Sequence, residues 1–371
     1  MRYVAVVCAL ALAACSDRPA TPVFHAEGRP DLLSEWGMVA IRDGELVLSD
    51  RVEPYDLNSA LFTDHAGKLR TVWMPEGASA AYRDGDVFDF PVGTVITKTF
   101  YYPVDTAGNV QRGDAGIRVS DRAETLDLDR VRLIETRILA RREAGWVALP
   151  YVWNGEQTEA RLMRAGYSET LTLAESDGDL REINYLVPNV NQCAGCHATN
   201  NTTRDLSPIG PAARHLNRDF AYAEGIENQI GHFIAAGYLT GAPAPENAPI
   251  AAAWDNSDLP LADRARAYLD INCAHCHNPV GPADTSGLHL NIDAPETANL
   301  GLCKPPIAAG PGSGGLRFDI VPGQPEASIF VYRMASTRGD EMMPELGRSL
   351  AHTEGVALIA DWIASLEGDC N

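Results

Sequence analysis

At 371 residues, 45% hydrophobic and 22% charged, the chain has a globular composition and is long enough for two or three domains. Its 50 acidic against 30 basic residues give a formal charge of −20, which disfavours nucleic acid and anionic lipid headgroups as partners. Such a surface favours a partner with a basic docking patch, in an association that salt weakens, and serves plain solubility equally well.

Residues 4–14 are an apolar run after Met1-Arg2. The run is too short to stay in a bilayer as a helix and reads as the core of a signal peptide over residues 1–14. It ends in Leu12-Ala13-Ala14-Cys15, small residues before a cysteine as in the bacterial lipobox. Cys15 is therefore expected to carry lipid, with residues 15–30 as a lipidated tether and Ser16 pointing to the outer membrane. An ordinary cleaved signal peptide is the alternative. Both place the chain in the cell envelope, with its later domains in the periplasm or at the cell surface.

Residues 31–185 are expected to form a β-rich domain. Segments 92–102, 131–140, 145–153 and 167–173 are dense in β-branched and aromatic residues, and the middle two meet around Glu143-Ala144-Gly145 as a hairpin. Residues 50–70 alternate poorly and predict loop and short helix. From residue 186 the pattern turns to helix and loop. Residues 222–236 carry Ile226, Ile230, Phe233 and Ile234 at helical spacing, with Gly237 placed to end the helix. Residues 186–250 make a first region and 251–371 a second. In the second, a helix over 261–271 is predicted, and Thr353 is expected to cap a closing helix bearing Val356, Ile359, Ala360, Ile363 and Leu366 on one face. The expected fold is multidomain α+β, a β-rich N-terminal domain followed by mainly helical domains.

The chemistry lies in two copies of Cys-x-x-Cys-His: Cys193-Ala-Gly-Cys196-His197 and Cys273-Ala-His-Cys276-His277. Two thiols three positions apart can each add across one porphyrin vinyl group, and the histidine that follows is carried under the iron as its proximal ligand. Structural zinc is the alternative, but paired Cys-x-x-Cys zinc motifs usually lie about 15–20 residues apart. Here Cys193 and Cys273 are 80 positions apart and each pair has its own histidine. A redox dithiol would need one motif and no fixed histidine. Two covalent c-type haems are expected, and with them electron transfer.

The second iron's sixth ligand is read as Met343, in Glu341-Met342-Met343-Pro344, where proline stiffens the preceding residue. Met342 and Met334 are rivals. No methionine lies between His197 and Asn272. The first iron is left with His215, His232, Met163 from the β-rich domain, or an open position. His275 reads as a spacer inside its motif. Of eight cysteines, Cys8 goes with the signal peptide, Cys15 takes lipid and four hold haem. Cys303 and Cys370 are left, and in an oxidising compartment the pair is expected to form a disulfide.

Residues 251–371, with a helix running into Cys273, Trp362 on the closing helix and a methionine loop between, resemble a class I cytochrome c domain. In that family the first and last helices cross, with an aromatic packed at the crossing. The whole mature chain resembles a bacterial family of di-haem lipoproteins without a settled reaction, often encoded beside a parallel β-helix lipoprotein. The matching segments are 57–64, 68–70, 90–100, 135–137, 151–160, 216–219, 322–328 and Met343-Pro344, besides the two haem signatures. The resemblance implies two covalent haems and a possible β-helix lipoprotein partner. Two functions are open: a membrane-anchored electron carrier between envelope redox partners, or an oxidoreductase binding a substrate or peroxide at the first haem. Trp153, Asn154 and Glu156 could line a substrate pocket, although a strand end and turn packed on the core is the simpler reading.

Overall fold

The computed structural model describes residues 21–114, 124–175, 178–307 and 310–370. The expected signal peptide, with Cys8, and the expected lipidation position Cys15 lie outside the described residues. In chain order the N-terminal strands are β1 (Val39–Arg42), β2 (Glu45–Leu48), β3 (Glu53–Tyr55), β4 (Gly67–Trp73), β5 (Ala80–Ala81), β6 (Val95–Pro103) and β7 (Val110–Gln111). There follow β8 (Leu126–Asp127), β9 (Val131–Arg142), β10 (Gly145–Trp153), β11 (Ala160–Leu162), β12 (Tyr167–Ala174) and β13 (Leu180–Val187).

The central element is an antiparallel six-stranded sheet in the order β11-β10-β9-β6-β4-β3. The β9–β10 hairpin turns at Gly145, whose φ of +119° suits glycine. One face of the sheet packs against the β1-β2-β8 sheet through Leu33, Trp36, Met38, Leu46, Leu126 and Ile138. Polar groups buried there find partners. Trp36 Nε1 donates to the Tyr151 hydroxyl at 2.8 Å, and threonine hydroxyls pair across strands at Thr71–Thr97 and Thr99–Thr136. The other face carries Lys68, Arg70, Lys98, Phe100, Glu135 and Arg137, aligned by register across β4, β6 and β9. Residues 50–70 hold strand β3 and the start of β4 rather than a short helix. Asp64 and His65, at φ +43° and +61°, could not sit inside a right-handed helix.

The remaining elements are α1 (Cys193–His197), α2 (Ala213–Leu216), β14 (Asp219–Tyr222), β15 (Gly225–Asn228), α3 (Gln229–Ala235), β16 (Leu239–Thr240), α4 (Leu261–Leu269), α5 (Ile329–Ala335) and α6 (Thr353–Ser365). They overturn the expectation of mainly helical haem domains: the protein is strand-rich, 27% strand against 21% helix. The predicted helix over 222–236 is half hairpin. Tyr222 and Gly225 close the β14–β15 turn, and Ile226 is left 75% exposed. Helix begins only where the Asn228 side chain accepts hydrogen bonds from the Ile230 and Gly231 amides. It ends at Gly237, at φ +75°. In the C-terminal part, four short 3-10 turns and long loops occupy most of the chain between residues 275 and 328.

Residues 186–250 share pairing and core with the β-rich part. Strand β16 pairs in parallel with β5, and Ala213, Leu216, Ile230 and Phe233 share a core with Val72, Met74 and Phe88 of the β-rich part. Helices α4 and α6 pack together around Tyr268, Leu269, Ile359 and fully buried Trp362. The cap of α6 is corrected: His352 is the capping residue without a side-chain cap, and the Thr353 hydroxyl donates to Glu354 instead.

Loop 56–66 joins the two ends of the chain. The Asp64 carboxylate accepts from the Ser349 amide and hydroxyl and the Leu350 amide at 2.8–2.9 Å. Phe62 N–H donates to Asn272 Oδ1, beside the second motif, at 2.9 Å. Burial raises the Asp64 pKa, and these donors oppose the rise.

Candidate functional site

The first motif is itself the short helix α1, and the second follows α4 through a π-turn over Asp270–Ala274. Both open into one cavity between the central sheet and the C-terminal part. Lining residues include Cys196, His197, Cys273, His275, His277 and Met343. Counted with the open solvent at its mouth, this cavity encloses about 1380 Å³ free of protein atoms. An adjoining space of about 750 Å³ shares Leu61, Lys98, Arg137, His197 and Ile209 with it. The motifs touch: Cys276 Sγ lies 3.3 Å from the Gly195 carbonyl oxygen, and the Asn201 amide donates to Val280 O at 2.6 Å.

Both motif histidines are held in the form a metal ligand requires. His197 Nδ1 lies 2.9 Å from the Ser207 carbonyl, which only accepts, so Nδ1 carries the proton. His277 Nδ1 lies 3.1 Å from Ser286 Oγ. That hydroxyl donates to Ala283 O at 2.7 Å and therefore accepts from His277. Each ring thus has its Nε2 lone pair free, with the outer nitrogen anchored as in metal-binding histidines generally. Burial depresses the pKa of His197 to about 3 and of His277 to about 4, so both are neutral near pH 7.

The donor set fits haem. Among the described residues no three His, Cys, Asp or Glu side chains form a cluster able to hold a metal ion, as a protein-only zinc site would need. A haem brings four equatorial donors of its own. It also brings two carboxylates. In this acidic chain, the cavity wall carries Lys98, Arg137, Lys304, Arg333 and Arg348 against one carboxylate, Asp319.

Of the candidate sixth ligands, Met343 and Met334 line the cavity with His277, and Met342 does not. Met343 is fixed by backbone contacts: its N–H donates to Arg333 O, and its carbonyl accepts from Arg348 Nη2, both at 3.0 Å. The Met343–Pro344 peptide is cis. His215 lines the adjoining space with His197, but its Nε2 is bonded to buried Asp270 at 2.7 Å and its Nδ1 is enclosed without a partner. His232 is committed elsewhere: carboxylates of Glu53 and Glu227 take its two nitrogens, and its ring stacks on Tyr222. Met163 sits in the turn after β11 and lines neither space. His275, read as a spacer, forms part of the cavity wall.

Trp153 Nε1 donates to Thr136 in the core, and Asn154 bonds Thr158 within the β10–β11 turn that also holds Glu156. That corner lies away from the cavity. Cys303 and Cys370 form a disulfide, Cα–Cα 5.1 Å, which ties the chain end to the loop carrying Lys304 and Asp319.

The sequence reading missed Lys98, Arg137, Ser207 and Ser286. For the first two a signal existed, since they stand inside segments 90–100 and 135–137, which carry the resemblance to the di-haem lipoproteins. Among the described residues no helix is long and apolar enough to cross a membrane. No family model, curated protein or solved structure matches the chain.

Proposed function

We propose that the chain is a di-haem electron-transfer protein of the cell envelope, anchored by lipid at Cys15. Cys193, Cys196 and His197 would hold one haem, and Cys273, Cys276 and His277 the other. When bound, these groups would supply one-electron exchange between ferric and ferrous iron. The observation that carries the reading is the contact of the two motifs in one cavity, with Cys276 Sγ 3.3 Å from the Gly195 carbonyl. Attachment points this close favour electron exchange within a single chain.

The protein's own residues do the positioning. Ser207 and Ser286 orient the proximal imidazoles, and Leu288, Leu290, Ile329 and Phe330 keep water from the second site. Met343 offers a thioether, which would raise that potential as suits a carrier. The acidic surface fits an envelope redox partner with a basic patch. Kinship with the di-haem lipoprotein family, and a β-helix lipoprotein neighbour, belong to the same proposal. The rival, a substrate site at the first haem, draws support from one feature: Lys98 lines that space with no carboxylate at ion-pair distance among the described residues.

Half-reduced holoprotein tests the relay. After rapid delivery of one electron per chain, the two haems should equilibrate within the dead time of stopped-flow mixing. Haems that stay out of equilibrium for seconds would contradict it.

A further inference from the structure

Three cations stand abreast on the sheet face that meets the first motif. Arg70 on β4 pairs in register with Lys98 on β6, and Lys98 with Arg137 on β9. Like charges on neighbouring strands destabilise a sheet unless anions answer them. Two are answered from the chain: Asp56 bonds Arg70 at 2.8 Å and Glu135 bonds Arg137 at 2.5 Å. Lys98, in the middle, has no carboxylate at ion-pair distance among the described residues: it lies over the Phe100 ring, 5.1 Å away, and feels Glu135 only electrostatically. Burial together with the Arg137 and Arg70 charges lowers its pKa to about 7, so that a bound anion would hold it charged. Its side chain lines both the main cavity, with Cys196 and His197, and the adjoining space.

The choice of residue adds weight. Lysine fills only three of thirty cationic positions in this chain. Lys304 bonds Asp319 at 3.2 Å and Lys68 donates to Ala66 O at 2.9 Å, which leaves Lys98 as the uncommitted one. An ammonium is a compact point charge on a flexible stem, suited to one oxygen of a small anion rather than a planar, two-pronged contact.

We propose that Lys98, flanked by Arg70 and Arg137, is an anion-binding residue at the first Cys-x-x-Cys-His motif, taking a carboxylate or small oxyanion. Two sources share that chemistry, a propionate of the first haem and a free anion bound beside it. The inference rests on the proposed di-haem reading for its optical readout.

The test compares wild-type holoprotein with Lys98→Met and Lys98→Arg. Midpoint potentials of both haems are measured, and sodium acetate and sodium phosphate are titrated at constant ionic strength while the Soret band is followed. Lys98→Met should lower the potential of one haem and leave the other, and Lys98→Arg should restore it. If the anion is free, wild type shows a saturable response to acetate or phosphate that Lys98→Met weakens roughly tenfold or more, as for loss of a charged hydrogen bond. If it is the propionate, wild type ignores both salts and the potential still falls. Unchanged potentials and unchanged anion responses in Lys98→Met overturn the inference. Should that variant misfold, Lys98→Gln, neutral and polar, is held to the same outcomes. Absence of haem bands would instead overturn the proposed function, while intact bands indifferent to charge at position 98 overturn this inference alone.

Discussion

The double variant Cys273→Ala/Cys276→Ala should retain one haem of two and lose more than about 3 kcal/mol of stability, the scale for opening a large cavity in a core. The reason is what the second haem would fill. Leu288, Leu290, Ile329, Phe330 and Val356 line the cavity beside His277, and Leu290 and Ile329 are only 2% exposed. Without the group these side chains lose their contacts on one side, in a part of the chain with little regular structure to compensate. Denaturant unfolding followed at the remaining haem and by far-UV circular dichroism reads both effects. A variant with two haems, or with wild-type unfolding, would contradict the assignment. The corresponding change at Cys193 and Cys196 should cost less, because Leu216, Ile230 and Phe233 of that region are already packed with Val72 and Met74.

Opening the disulfide should cost nearly as much. Cys303 and Cys370 close a loop with a sequence separation of 67, and the chain-entropy relation gives about 4 kcal/mol for that length. The bond also holds one wall of the cavity. Cys303 N–H donates to Ile320 O, and the next residue, Lys304, pairs with Asp319 where both face the cavity. Cys303→Ser/Cys370→Ser should therefore lower the unfolding midpoint and loosen the second haem's spectrum while leaving the first unchanged. Unaltered stability would mean that the C-terminal loop is held by packing alone.

The two Cys-x-x-Cys-His motifs and the leftover pair Cys303 and Cys370 could be read from the sequence, and the architecture around them only in part. Cys-x-x-Cys-His announces itself because two thiols and an imidazole must sit at fixed offsets, and Cys303 and Cys370 emerged as the pair that other chemistry left over. The β9–β10 hairpin showed in its β-branched run and in Gly145. Helix content did not, because periodicity cannot see a cap: Ile226 continued a helical stripe on paper, yet Asn228 starts the helix two residues later. Strand β4 was hidden because Lys68 and Arg70 look solvent-facing, yet Arg70 is buried and lines the adjoining space while Lys68 folds back onto Ala66 O. The cation row was out of reach for a different reason. Lys98 meets Arg70 and Arg137 only through register between strands distant in sequence, and no local pattern encodes that pairing. Which histidines are already engaged was out of reach for the same reason. His215 and His232 looked available, and folding commits them to Asp270, Glu53 and Glu227.

The central claim is that four cysteines are thioether-linked to two haems sharing one cavity. Intact mass spectrometry of the purified mature protein under denaturing acid, alongside its reduced visible spectrum, tests it most directly. A di-haem protein should show the mass of polypeptide and lipid plus two haems that survive denaturation, with c-type bands of matching intensity. A colourless protein with the mass of polypeptide and lipid alone, and four thiols open to alkylation, would contradict it.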